Sequence, residues 1–121
     1  SGSLFLSALA AGAVGVVDGP LTVAPELWVG AFRAYNQGDM SRARGYQQKA
    51  NILIDLAAKF GMQATCKALT GIRMDIDCGS PRLPIPALSD QEKSELIKAA
   101  RCFGLIPPVN DSEQVSNVAV L

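Results

Sequence analysis

The residue types that could carry chemistry in this chain are lysines, carboxylates, tyrosines and cysteines, because the sequence contains no histidine. Without an imidazole, the Ser-His and Cys-His modes of nucleophile activation and the commonest zinc sites are excluded. Cys66, Cys78 and Cys102 are separated by 12 and 24 residues, a spacing that fits neither paired CxxC metal ligation nor an even-numbered disulfide framework. We interpret them as buried, reduced thiols of a cytoplasmic protein, and we predict neither a metal site nor a cofactor.

The charge balance and the apolar N-terminal run exclude two further classes of protein. Eleven basic and eleven acidic side chains give a net charge of zero, whereas nucleic-acid binders usually carry a clustered basic face. The uncharged segment 1–17 lacks the basic leader of a signal peptide, and Gly12 and Gly15 interrupt it before the roughly 20 residues that a membrane span requires. The sequence therefore predicts one domain at most, with no nucleic-acid or membrane partner.

Capping residues and glycines divide the first half of the chain into three helices and a strand. Ser3 is predicted to cap a helix over 4–11, and the apolar residues 14–17 are predicted to form a strand buried on both faces, as in a parallel sheet. Helices are predicted over 25–37 and 40–60, the second capped by Asp39 and ended by Gly61. A lone strand leaves its backbone unpaired, so the strand must find neighbours that this chain does not supply.

The second half of the chain is predicted to be helical around one long loop. A short helix over 62–71 precedes a loop over 74–86, which contains three prolines. Ser89 and Glu92 have the spacing of a capping box and open a further helix that is predicted to stop at Gly104.

Four segments, taken in order, carry a resemblance to a known family. They are LFLSALAAGAVGVV, APELWVGAFRAYNQGDMSRAR with its Gly-Asp junction, KALTGI, and SPRLPIPALSDQEKSEL. At this spacing, residues 1–104 resemble the C-terminal part of the dihydrodipicolinate synthase and N-acetylneuraminate lyase family. These are pyruvate-dependent class I aldolases built on a (β/α)8 barrel.

The resemblance implies an α/β fold class in which this chain, itself mostly α-helical, is the C-terminal portion of a TIM barrel. Residues 1–37 would form the end of the barrel, comprising helix seven, strand eight and helix eight. Residues 38–106 would form a C-terminal helical appendage, and residues 107–121 a mobile tail. Since a complete barrel takes roughly 250 residues, the partner implied first is the missing N-terminal portion of the barrel.

The resemblance also implies Schiff-base chemistry on a small-molecule 2-keto acid. In the family a lysine on strand six attacks the keto carbon of pyruvate, a tyrosine on strand five relays protons, and a loop after strand two holds the carboxylate. These elements fall outside the chain, so no catalytic residue is assigned here and the isolated chain is expected to be inactive.

The five lysines all fall on predicted helices outside the barrel: Lys49, Lys59, Lys67, Lys93 and Lys98. Lys67 is interpreted as structural, with its amine lying along apolar surface or bonding terminal carbonyls. The complete enzyme is expected to be a homo-oligomer.

By resemblance, five residues belong to a substrate-pocket wall at the C-terminal edge of the barrel. Gly2 and Ser3 fall in the loop after strand seven, and Val17, Asp18 and Gly19 end strand eight. The sequence Asp-Gly-Pro-Leu-Thr differs from the Ser or Thr followed by Ala-Asn or Tyr-Asn that relatives often have, which leaves the aldehyde or sugar acid open. A cap on a helix or loop is the alternative role for Asp18.

A second hypothesis is a non-catalytic helical interaction module, or a truncated fragment that needs a partner chain. Incubation with pyruvate and borohydride distinguishes this module from a lyase, because only an amine activated in a barrel pocket traps the imine.

Overall fold

Five α-helices and two 3-10 turns make up the regular structure of the chain in the computed structural model, which describes residues 2–108. The later part of the tail predicted over 107–121 lies outside the described residues. The first 3-10 turn is Gly2–Leu4 and the second is Gly19–Thr22. The helices are α1 (Phe5–Ala10), α2 (Pro25–Asn36), α3 (Met40–Phe60), α4 (Met62–Met74) and α5 (Asp90–Cys102).

The α2–α3 hairpin forms because local signals end one helix and start the next. Gly38 has a φ of +77°, a conformation that glycine adopts without the steric cost of a Cβ. Its N–H donates to the Tyr35 carbonyl at 2.9 Å, and the next N–H donates to the Ala34 carbonyl at 2.9 Å. The Asp39 carboxylate then accepts the Arg42 N–H at 3.0 Å as the N-cap of α3. The predicted bounds of both helices are confirmed to within one residue.

A single hydrophobic core joins the helices. Trp28 of α2 is 3% exposed, and Leu53 of α3, Leu69 of α4 and Leu96 of α5 are 0% exposed. Phe5 and Leu9 place α1 in the same cluster. Residues on both sides of position 38 therefore share one core, and the helices of the expected appendage hold the N-terminal segments in place.

The predicted strand over 14–17 does not form among the described residues, which lack the neighbouring strands that the prediction requires. Positions 13–18 form neither helix nor strand, and Val14 and Val17 are 91% and 98% exposed. Within 14–17, Val16 is the one half-buried residue, and it packs against the core. The physical reason is the pairing requirement: a strand needs a neighbour to accept and donate its backbone hydrogen bonds, and residues 2–108 contain no such neighbour.

Two further expectations at the N-terminus and in the middle of the chain need correction. The N-cap of α1 is Leu4 and has no side-chain cap, so the predicted cap from Ser3 is wrong, and the helix starts one residue later than predicted. Helix α4 runs three residues past its predicted end and stops where Asp75 takes a left-handed conformation with φ of +53°.

The capping box of α5 is confirmed in both directions. Ser89 Oγ accepts the Glu92 N–H at 3.2 Å, while the Ser89 N–H donates to Glu92 Oε2 at 2.8 Å. Gly104 follows the helix end with φ of +68°, as predicted. Residues 75–88, before this helix, contain neither helix nor strand, which confirms the long loop.

All three cysteines are free, but they are less buried than predicted. Cys66 and Cys78 are half-buried and Cys102 is exposed, because the last turn of α5 turns the third thiol away from the core. Within residues 2–108 there is no helix whose length and apolar character would let it cross a bilayer.

Candidate functional site

The Asp18 carboxylate joins the two segments that carry the predicted pocket-wall residues. Its Oδ2 accepts the N–H of Gly2, and its Oδ1 accepts the N–H of Gly19 at 2.9 Å. A carboxylate that accepts hydrogen bonds from two backbone amides is a strong, charge-assisted anchor. Asp18 is also the N-cap of the second 3-10 turn, so the capping role raised as an alternative is present in the geometry.

Gly2 is enclosed so closely that no larger residue fits at this position. A Cβ on Gly2 would lie 2.8 Å from Nε1 of Trp28 and 3.0 Å from Asp18 Oδ2. The Trp28 indole N–H donates to the Gly2 carbonyl at 3.4 Å. The loop thus meets its surroundings through backbone atoms, and the absence of a side chain is what permits the approach.

Gln47 of α3 holds the same loop from the opposite direction. Its Nε2 donates to the carbonyls of Gly2 at 2.9 Å and Ser3 at 3.2 Å, and its Oε1 accepts the Leu6 N–H at 3.1 Å. Nε2 also donates to Oδ1 of Asn51, one turn later on α3, at 2.9 Å. One half-buried amide therefore fixes the start of α1 and the turn that precedes it.

On the other side of Asp18, Gly19 lies against α4. A Cβ on Gly19 would meet Met62 Sδ at 3.5 Å and Cys66 Sγ at 3.8 Å. Burial raises the pKa of the Cys66 thiol; a hydrogen bond with the Thr22 side chain opposes that shift, and the negative charge of Asp18 adds to it. At neutral pH the thiol therefore stays protonated and is a poor nucleophile.

The structure brings together four of the five predicted wall residues. Gly2, Asp18 and Gly19 are linked through the carboxylate, and Ser3 is held beside them by Gln47. Val17 points away and is 98% exposed. Nothing in this cluster is an activated nucleophile, so its groups can shape and line a wall but do not supply a reacting atom.

Sequence reasoning did not find Gln47 or Trp28, which organise this cluster. Both lie on amphipathic helices, where a glutamine or a tryptophan gives no local indication of the group that it will bind. Their partners are also far away in the sequence. The bond from Leu6 to Gln47 spans 41 positions, and the bond from Trp28 to Gly2 spans 26.

The lysines are where the sequence predicted them, on helices α3, α4 and α5, and four of the five are exposed. Lys67 is half-buried, and its Nζ donates to the Cys78 carbonyl at 2.7 Å. The amine thus bonds a carbonyl as predicted, but the acceptor lies in the loop after α4 and not at a helix terminus.

Lys67 also borders a groove of about 610 Å³ between α4, the loop that follows it and α5. The groove contains both charge signs, among them Asp75, Asp90 and Lys93, and includes none of the five predicted wall residues. Among the described side chains, no three cysteines or carboxylates come together as metal ligands.

Comparison with known proteins shows the family to which the sequence is similar. The family model described as the Dihydrodipicolinate synthetase family matches residues 1–102. An N-acetylneuraminate lyase of Mediterraneibacter gnavus is 34% identical over 98 residues, which cover 79% of this chain and 31% of that protein. An uncharacterised DapA-like lyase of Halobacterium salinarum is 34% identical over 106 residues, covering 88% of this chain and 34% of that protein.

The solved structure of N-acetylneuraminate lyase from Proteus mirabilis has the same fold over the matched region. It superposes with a TM-score of 0.80 at 23% identity, and the match covers 88% of this chain and 36% of that one. The chain spans about a third of the length of the curated relatives that it matches.

Proposed function

Because this chain belongs to the dihydrodipicolinate synthetase family, we propose that it forms the C-terminal segment of a pyruvate-dependent class I aldolase or lyase. The complete enzyme acts on a 2-keto acid. A lysine amine, supplied by a part of the barrel outside residues 1–121, adds to the keto carbon, and the resulting carbinolamine loses the former carbonyl oxygen as water to form a protonated imine. When the bond between the carbon next to the imine carbon and the following carbon breaks, the protonated imine accepts the electron pair and becomes an enamine; in the reverse direction the enamine returns this pair to form the bond.

In this proposal the chain provides one wall of the pocket. Gly2 and Ser3 lie in the loop after barrel strand seven, and Val17, Asp18 and Gly19 end strand eight. The observation that carries the proposal is the Asp18 carboxylate, which bonds the N–H of Gly2 and the N–H of Gly19. These two N–H groups belong to the two loops that the family places side by side at the catalytic edge of the barrel.

The exposed apolar residues next to this cluster support a missing barrel as the neighbour. Leu4 is 64% exposed, Val14 is 91% exposed and Val17 is 98% exposed. Burying each such side chain gains roughly 1.5–3 kcal/mol, so docking of further strands beside residues 14–17 is strongly favoured. Pairing with those strands would also satisfy the backbone of this segment.

The remaining organisation follows from the same placement. Residues 1–37 form the end of the barrel, 38–106 the helical appendage and 107–121 a tail. We place the complete enzyme in the cytoplasm, in keeping with the three free cysteines of this chain, and we expect it to be a homo-oligomer.

The test is imine trapping. Pyruvate and borohydride are added to the complete protein and, separately, to residues 1–121 alone, and each product is analysed by intact mass and peptide mapping. We expect one covalent adduct in the complete protein, on a lysine outside residues 1–121, and none in the chain alone. An adduct on one of the five lysines of this chain, or no adduct in the complete protein, would overturn the proposal.

The alternative is a non-catalytic helical module. In that case the exposed Val14 and Val17 would bind a partner other than the rest of a barrel. Failure of trapping in the complete protein, together with a stable complex between this chain and a different partner, would favour that alternative.

A further inference from the structure

We propose that Gln47 is a positioning residue that sets the geometry of the pocket wall from the helical appendage. The inference rests on the proposed function, because it concerns the loop at Gly2 and Ser3 that forms part of the wall. Gln47 itself contacts no reacting atom in this proposal; it acts through the backbone of that loop.

The hydrogen bonds of the Gln47 amide leave the loop little freedom. The two hydrogens on Nε2 serve three acceptors, which are the Gly2 carbonyl, the Ser3 carbonyl and Asn51 Oδ1. The two carbonyls therefore share one hydrogen, while the other hydrogen fixes the amide to its own helix. The backbone partners determine which end of the amide carries the nitrogen, because the carbonyls of Gly2 and Ser3 only accept hydrogen bonds and the Leu6 N–H only donates.

Gln47 also supplies a cap that α1 lacks. The N-cap residue is Leu4, whose apolar side chain cannot accept a hydrogen bond, and no side-chain cap is formed there. The N–H of Leu6, in the first turn, instead donates to Gln47 Oε1 at 3.1 Å. An amide on another helix thus provides what a serine or aspartate normally provides locally.

Asp18 and Trp28 also bind the loop, so the contact with Gln47 orients a loop that is already held in place. The Gly2 N–H is bound by Asp18, and the Gly2 carbonyl also accepts the Trp28 indole N–H. Gln47 bonds both the turn and the first turn of α1, so it sets how the turn is angled relative to the helix that follows. A loss of this bond would shift the wall while leaving the core side chains in place.

The test compares two pairs of variants in the complete protein. Gln47→Met keeps the length of the side chain and removes the donor and the acceptor. Gln47→Glu keeps an acceptor for Leu6 but places a carboxylate oxygen against the carbonyls of Gly2 and Ser3. The matched controls are Gln48→Met and Gln48→Glu, since Gln48 is the neighbouring residue on α3 and is exposed.

Four quantities are measured for each variant: the exchange rate of the Leu6 amide, the rate of pyruvate trapping by borohydride, and kcat and KM for cleavage of N-acetylneuraminate, which serves as the probe substrate. In Gln47→Met the Leu6 amide should exchange about tenfold faster, as the loss of a hydrogen bond to a helix terminus implies. In both Gln47 variants, KM should rise by about tenfold while the trapping rate stays within about twofold of the unsubstituted protein. The Gln48 variants should change none of these quantities.

The outcomes separate a positioning role from a general effect on folding. Equal KM values in the Gln47 and Gln48 variants would overturn the positioning role, and so would a parallel fall of trapping and cleavage, which indicates general loss of structure. If the unsubstituted protein does not trap pyruvate, the proposed function fails, and the Leu6 exchange rate then decides by itself whether Gln47 holds the loop. If it traps pyruvate but does not cleave N-acetylneuraminate, the pyruvate concentration that gives half of the maximal trapping rate takes the place of KM, and an equal value in the Gln47 and Gln48 variants overturns the positioning role. If Gln47→Glu does not fold, Gln47→Met carries the same measurements.

Discussion

Replacing Gly30 by alanine should destabilise the protein although the same replacement at Gly45 should stabilise it. Both glycines lie inside helices, Gly30 in α2 and Gly45 in α3. A Cβ on Gly30 would lie 2.5 Å from Cε1 and 2.6 Å from Cζ of Tyr46, whereas a Cβ on Gly45 meets nothing within 4 Å. The two substitutions therefore share their effect on helix propensity and differ in packing.

The magnitudes follow from those contacts. Glycine is about 1 kcal/mol less favourable than alanine in a helix interior, so Gly45→Ala should raise the free energy of unfolding by about that amount. Overpacking at Gly30 costs about 1–3 kcal/mol. Displacing the Tyr46 ring also weakens its contact with the Arg42 guanidinium, 5.9 Å from the ring centroid, which is worth about 0.5–1 kcal/mol. Gly30→Ala should therefore lower the free energy of unfolding by about 0.5–3 kcal/mol.

The assay is urea unfolding of the chain followed by the fluorescence of Trp28, the single tryptophan, which is 3% exposed in α2. The expected result is a higher midpoint for Gly45→Ala and a lower midpoint for Gly30→Ala, with similar m-values. If both variants shift the midpoint upward by the same amount, the contact between α2 and the Tyr46 ring does not restrict the backbone, and the packing argument is refuted.

Three further predictions concern α5 and the cysteines. Ser89→Ala should lower the free energy of unfolding by about 1 kcal/mol because the capping box is lost, whereas Ser94→Ala, on the exposed face of the same helix, should be neutral or slightly stabilising; thermal melts of the two variants compare them. Hydrogen bonds from the backbone and side chain of Ser89 lower the pKa of Glu92. The stability that the ionised Glu92 gives to α5 is therefore present above the ordinary glutamate pKa and is lost as the pH falls through the lowered value. An acid titration of helicity that is the same in Glu92→Gln as in the unsubstituted protein would contradict this. Cys66, whose thiol pKa is raised chiefly by burial, should be alkylated by iodoacetamide more slowly than the exposed Cys102. Peptide mapping that finds equal alkylation rates for the two thiols at the same pH would show that burial does not protect Cys66.

The sequence was sufficient for features whose causes lie within a few residues. The cap at Asp39, the left-handed Gly38 and the capping box of Ser89 and Glu92 each form between neighbours along the chain. These local groups satisfy backbone hydrogen bonds whatever the rest of the molecule does. They are the reason that helices α2, α3 and α5 were predicted with nearly correct bounds.

Tertiary structure decided the features that depend on distant partners. Asp18 and Gly2 are 16 positions apart, and Gln47 is 45 positions from Gly2; a glutamine on a helix gives no local sign of the backbone it will bind. The segment 14–17 also depends on distant partners, and it does not form a strand within residues 2–108. Its composition favours burial in a sheet, but strand formation depends on a neighbouring strand that residues 2–108 do not contain. Periodicity and capping act over one or two turns of helix, whereas the wall at Gly2, Ser3 and Asp18 exists only after the helices have packed.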